Sequence, residues 1–151
     1  MMQIYLADKN DAKSIVEIIK KHHEEDYMGY VTFDESYIKD KMKKNNFFLV
    51  AKEDNNIIGC VRASIVEIDL AEIRNMCVYE KYRGKGVAKQ ILESALALLK
   101  EKHMRKVVAR VKSDNYSALN IFKSAGFEQE GYFKEHYRQG IDIVQLYKFV
   151  E

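Results

Sequence analysis

Residues 73–112 constrain the fold more than any other stretch. They read as an apolar strand, "IRNMCV", a glycine-rich turn, "YRGKGVAK", a long helix, and a second apolar strand, "KVVARVK". Val87, Ala88, Ile91, Leu92, Ala95 and Leu99 recur at helical spacing, so the segment after the turn runs as a helix to about residue 103. Two strands joined by such a crossing helix lie parallel, since a tight hairpin joins only antiparallel neighbours. The middle of the sheet therefore contains one parallel step.

The flanking sequence reads differently. "QIYLA" alternates as a short strand, and "DKNDAKSIVEIIKKHH" supplies capping residues before Ile15, Ile18 and Ile19 at helical spacing. Residues 24–33 are irregular, and "DESYIKDKMKKN" reads as a very polar second helix. "NFFLVAKE" and "IIGCVRASIVE", separated by "DNN", read as a hairpin. After the central unit, "SDNYSALNIFKSAG" is a capped helix closed by Gly126, and "FEQEGYFKEHY" and "DIVQLYKFV" form a last strand pair around "RQG". The order β-α-α-β-β-β-α-β-α-β-β predicts one mixed α/β (α+β) domain over residues 1–151. Its twisted, mostly antiparallel sheet carries helices.

Composition narrows the partners. The chain has 151 residues, 47% apolar and 32% charged, with a net charge of +2. That size supports one sizeable core, and that charge gives no global pull towards nucleic acid or an anionic membrane. "MMQIYLADKN" lacks the apolar run of a signal peptide, no stretch reaches transmembrane length, and Cys60 and Cys77 sit in strand-like segments as free thiols would in a reducing compartment. A cytoplasmic protein is the expectation. His22, His23, His103 and His136 show no ligand spacing with these cysteines, so no metal is expected.

The turn itself has chemistry. The first N–H groups of a helix lack internal partners and face a positive dipole end, which suits an anion. Glycines let the backbone approach a phosphate, and Arg83, Lys85 and Lys89 add charge. A G-x-G turn alone more often is only a turn, and this one lacks the spacing of dinucleotide and nucleoside triphosphate loops.

Two motifs at a fixed separation give the turn a context. R-G-K-G-V-A fits R/Q-x-x-G-x-G/A at Arg83, Gly86 and Ala88, and N-x-x-A-x-x-x-F-x-x-x-G-F follows at Asn115, Ala118, Phe122, Gly126 and Phe127. With these and the element order, nearly the whole chain resembles the GNAT superfamily of N-acetyltransferases, which use acetyl-coenzyme A. The resemblance implies a sheet of about seven strands with a splayed parallel pair and about four helices. It implies that the diphosphate lies on backbone amides of Arg83, Gly84, Lys85, Gly86, Val87, Ala88 and Lys89. It implies that the pantetheine arm pairs along Met76, Cys77 and Val78, as an added strand would. The Val78 N–H would then stabilise the oxyanion of the transfer step, a contribution of about 3–4 kcal/mol. The side chains of Met76 and Val78 remain ordinary core, and Cys77 has no evident activating histidine.

Asn115 either reaches the pantetheine amide, caps the helix, or does both. Phe122 lies along the coenzyme where many family members carry a tyrosine that protonates the departing thiolate. Phenylalanine cannot do this; either water or another group, with Tyr116, Tyr132 and Tyr137 as candidates, supplies the proton, or none is needed, since a thiol with a reference pKa of about 8.5 gives a fair leaving group. Glu72, six residues before Val78 and eleven before Arg83, has the spacing of the base in the histone-acetylating members. It removes the proton from an amine whose pKa is about 10.4, or else pairs with Arg74 or Arg62. Glu67 and Asp69 are weaker candidates.

The acceptor side falls in the segment with Glu24, Glu25, Asp26, Tyr27, Tyr30, Phe33, Asp34 and Glu35, an acidic and aromatic set that suits a cationic amine. The expected activity is direct acetyl transfer to the primary amine of a small molecule or peptide, with a homodimer among the states the family adopts. The competing readings are a non-catalytic coenzyme A or acyl-CoA binding module, which Phe122 keeps open, and a nucleotide-phosphate binder using the turn alone.

Overall fold

The computed structural model describes residues 1–25 and 33–151, without the side chains of residues 24 and 25. Seven strands and four helices alternate as β1 (Gln3–Leu6), α1 (Ala12–Glu25), α2 (Glu35–Lys41), β2 (Asn46–Glu53), β3 (Asn56–Glu67), β4 (Leu70–Val78), α3 (Val87–Glu101), β5 (Lys106–Lys112), α4 (Tyr116–Ser124), β6 (Glu128–Arg138) and β7 (Ile141–Phe149). The strands form one sheet in the order β1-β2-β3-β4-β5-β7-β6. Every neighbouring pair is antiparallel except β4 and β5.

Two short 3-10 turns, Lys9–Asp11 and Glu80–Tyr82, are additions to the sequence reading. Each is a single turn before a helix, too short to leave an apolar period. The central helix ends at Glu101, slightly earlier than expected, because Lys102 already caps it and His103 adopts φ 62.

Both faces of the sheet are covered. Val87, Ile91, Leu92, Ala95, Leu96 and Leu99 turn one stripe of α3 onto Ala51, Ile58, Val61, Ala63, Ala71 and Ile73, and α4 adds Leu119 and Phe122 to the same core. Opposite, Ile15, Ile18 and Ile19 of α1 and Ile38 of α2 pack on Phe48, Val50, Cys60 and Cys77. Each such buried aliphatic side chain contributes about 1.5–3 kcal/mol of transfer free energy. Gly59 lets α3 sit close to the sheet. A Cβ there would lie 2.9 Å from Ile91 Cδ1 and 3.2 Å from the Cys77 carbonyl oxygen.

The parallel pair is short. Its register runs from Leu70↔Lys106 to Ile73↔Ala109 and then stops. Beyond it, β5 continues against β7 through Lys112↔Ile143, while β4 continues against β3 through Cys77↔Cys60 and Val78↔Gly59. The wedge between the two strands opens where β4 bulges. Two β3 steps, Cys60 to Arg62, face three on β4, Arg74 to Cys77, and Asn75 adopts φ 50. No described helix is long and apolar enough to cross a membrane.

Candidate functional site

The open side of the wedge is a cleft of about 740 Å³, within the range of small-molecule sites. Met76 and Val78 form its strand wall, the turn residues Arg83, Gly84, Gly86, Val87, Ala88 and Lys89 its floor, and Asn115 and Ala118 of α4 the far wall. Most of the residues singled out from the sequence thus meet at one place.

The turn is built to bring backbone towards the cleft. Gly84 and Gly86 adopt φ +76 and +81, a conformation L side chains rarely take. A Cβ on Gly84 would meet nothing within 4 Å, and one on Gly86 only Gln90 Nε2 at 3.8 Å, so the backbone here faces open space. Gly86 N-caps α3 and its carbonyl accepts the first helical bond, from the Gln90 N–H at 3.1 Å. The amides of Val87, Ala88 and Lys89 precede that bond and point out of the helix end. Arg83 holds the turn to the strand: its Nε donates to the Val78 carbonyl at 2.8 Å. The Lys85 ammonium lies 5.9 Å from the Tyr82 ring centroid.

The strand wall offers free backbone. The Tyr79 N–H donates across to the Ile58 carbonyl of β3 at 3.1 Å. Because amides alternate sides along an antiparallel strand, the Val78 N–H points the other way, into the wedge that β5 has left. Cys77 contributes only backbone there. Its side chain is 2% exposed and packs in the α1 core beside Cys60, on the other face of the sheet. Asn115 does act as a cap, its Oδ1 accepting the Ala118 N–H at 3.2 Å, while also lining the cleft.

A smaller cavity of about 140 Å³ adjoins the cleft at the point of the wedge, with Met76, Lys112, Asn115, Ala118 and His22 in both walls. Phe122 closes its base, 3% exposed and edge-on to Phe127 with ring centroids 5.0 Å apart. Arg74, Asn75 and Arg110 line it too. The Asn75 Oδ1 is buried and has no hydrogen-bond partner among the described residues.

Glu72 lies just below this point, in the last paired stretch of β4, and lines neither cavity. Its carboxylate accepts from Arg74 Nη2 at 3.0 Å. Asp69 pairs with Arg105 at 3.0 Å and lines neither cavity. Of the tyrosines, Tyr116 is 70% exposed, Tyr132 bonds Asp142, and the Tyr137 hydroxyl accepts from Arg110 at 3.2 Å; none of the three lines either cavity.

The acidic and aromatic acceptor segment is described only in part. Residues 26–32 and the side chains of Glu24 and Glu25 lie outside the described residues. Among the rest, Asp34 caps α2 through the Tyr37 N–H at 2.7 Å, Glu35 pairs with Lys39 at 3.7 Å, and Phe33 is buried against His23 and Tyr37. These three serve the fold. His22, Arg110 and Lys112 are lining residues the sequence reading missed. For His22 a signal existed: it continues the Ile15, Ile18, Ile19 stripe by one more step, so it had to face the sheet. Among the described residues no group of three or more His, Cys, Asp or Glu side chains gathers as a metal site would.

A strand wedge with free backbone, sealed at one end by a glycine-capped helix, is the architecture of an acyl-coenzyme A fold. Comparison with known proteins agrees: the family model for the acetyltransferase (GNAT) family matches residues 12–127, and the chain belongs to that family. A Bacillus subtilis (strain 168) protein named for alanine N-acetylation of ribosomal protein bS18 is 31% identical over 90 residues, covering 60% of this chain and 59% of its own length. N-alpha-acetyltransferase 30 of Schizosaccharomyces pombe is 25% identical over 137 residues, 86% of each chain. The Salmonella typhimurium protein yncA, solved with its cofactor acetyl-CoA, superposes with a TM-score of 0.84 at 18% identity, covering 99% of this chain and 94% of that one. The first of these matches spans little more than half of the relative's length.

Proposed function

We propose that this protein is an acetyl-CoA-dependent N-acetyltransferase acting on the primary amine of a small molecule or peptide. The observation that carries the reading is the junction of the two backbone features: outward amides at the mouth of α3, and the Val78 N–H aimed into a wedge that β5 has vacated. Relatives named as N-acetyltransferases favour an enzyme over a silent binding module.

The residues present fit the co-substrate. Gly84, Lys85, Gly86, Val87, Ala88 and Lys89 would hold the diphosphate by main-chain donors, with Arg83 fixing the turn. Met76, Cys77 and Val78 would pair with the pantetheine amides, with Asn115 on the opposite wall. When bound, acetyl-CoA supplies a thioester, so that amine and thioester become amide and free thiol. The Val78 N–H would stabilise negative charge on the carbonyl oxygen. Glu72 takes the first proton from the acceptor ammonium, directly or through water. The second proton lost by nitrogen ends on sulfur, so a hydroxyl in place of Phe122 is not required.

Thiol release from acetyl-CoA with a panel of amines tests the reading. Amine-dependent release with matching formation of the N-acetyl product is expected. Tight coenzyme A binding without release from any amine would instead favour the binding module.

A further inference from the structure

The small cavity at the point of the wedge is cationic beyond what an acetyl-coenzyme A molecule needs. Its phosphates belong at the mouth of α3, and its thioester end carries no charge. Yet Arg74, Arg110 and Lys112 line the cavity, with no carboxylate among its described lining residues. Arg74 is partly neutralised by Glu72 at 3.0 Å. Arg110 is held by neutral groups: its Nε donates to Gln145 Oε1 at 3.1 Å, its Nη1 to the Tyr137 hydroxyl at 3.2 Å, and it lies 5.3 Å from the Phe133 ring centroid. These contacts fix a guanidinium in place without cancelling its charge, and Glu72, which is bonded to Arg74, acts on it only through space. A third arginine, Arg62, stands opposite Arg74 on β3, only 4% exposed, with Asn46 Oδ1 at 2.8 Å and the Tyr37 hydroxyl as its acceptors. Register puts Arg62, Arg74 and Arg110 on one face of the sheet, since Glu72 pairs with Val108, and Arg74 and Arg110 each follow by two residues.

Asn75 lines the same cavity, and its buried Oδ1 has no hydrogen-bond partner among the described residues. Leaving such an atom unpaired costs about 1–3 kcal/mol, so it suits a ligand that brings an N–H. A cavity with fixed guanidinium groups and one orphan carbonyl oxygen is complementary to a molecule with an anionic group and an amine close together.

We infer that the acetyl acceptor is a small amino-carboxylate, its carboxylate held by Arg110 and Arg74 and its nitrogen placed against Asn75 Oδ1 at the point of the β4–β5 wedge. This rests on the acetyltransferase reading and names the substrate class of that site. Arg110 offers a rigid fork for carboxylate oxygens, the geometry at which arginine outperforms lysine.

The test compares matched amines in the thiol-release assay: α-amino acids, their C-terminal amides and their decarboxylated counterparts. The acids are expected to exceed both partners in kcat/KM by about tenfold or more, as a charge-assisted contact to a carboxylate allows. Arg110→Gln should erase that preference by raising KM for the acids, with KM for acetyl-CoA unchanged; Arg110→Lys should restore part of it. Circular dichroism and acetyl-CoA calorimetry on the same variants separate this from misfolding. A preference for cationic amines, for the amides, or for peptide amines without a nearby carboxylate overturns the inference while the acetyltransferase reading stands. Parent-like discrimination in a folded Arg110→Gln protein overturns it as well. Release with no amine at all removes both.

Discussion

Glu72 sits where two demands meet. It neutralises Arg74, and it is the carboxylate to which both Arg62 and Arg110 are electrostatically coupled. In the proposed mechanism this carboxylate takes a proton from the acceptor ammonium. Glu72→Gln is expected to lower kcat/KM by about a hundredfold, the scale of general base catalysis, with acetyl-CoA affinity unchanged. Because Arg74 is 45% exposed, the lost ion pair should cost less than about 1 kcal/mol of stability. A pH–rate profile identical to the parent's would remove Glu72 from this role. Phe122, buried against Phe127, closes the wedge as a wall.

At the scale of elements, the glycine turn and the helix after it were legible because their signals are local. Positive φ needs glycine at Gly84 and Gly86, and an apolar stripe marks the buried face of α3. The parallel step was legible for the same reason, since a helix must connect its strands. The point where the step ends was not. Nothing in "IRNMCV" announces that pairing with β5 stops after Ile73, because that depends on a bulge at Asn75 and on β7 drawing β5 away. Nor could sequence place Arg110 beside Arg74. The sequence does not give the pairing of the two strands residue by residue; the parallel register sets both on one face. In the acidic stretch, Asp34 caps α2 and Glu35 forms an i,i+4 ion pair, local contacts that composition alone does not reveal.

Taken whole, the domain is a sheet clamped between α1 and α2 on one side and α3 and α4 on the other, so the wedge is held open by two cores rather than by one loop. The β1 edge of that clamp has its own pH signature. Burial, aided by a hydrogen bond to Asp11, pushes the Tyr5 phenol from 10.0 up to about 12. A raised phenol means that the folded state favours the neutral form. The resulting stability is complete below pH 10 and is lost as pH rises towards 12. Burial also raises Tyr79, and the bond to Glu128 raises Tyr147, so the three act in the same direction. Urea unfolding should therefore show a steep loss of stability across that window, and Tyr5→Phe should flatten it; equal slopes for the two proteins would contradict this. The central claim, that free backbone at the mouth of α3 and along the end of β4 receives acetyl-coenzyme A, is tested most directly by titrating that molecule into isotope-labelled protein and following the backbone amides. Saturable changes that are largest at residues 84–89 and 76–78 are predicted. No uptake by the folded protein, or changes centred on another surface, would contradict it.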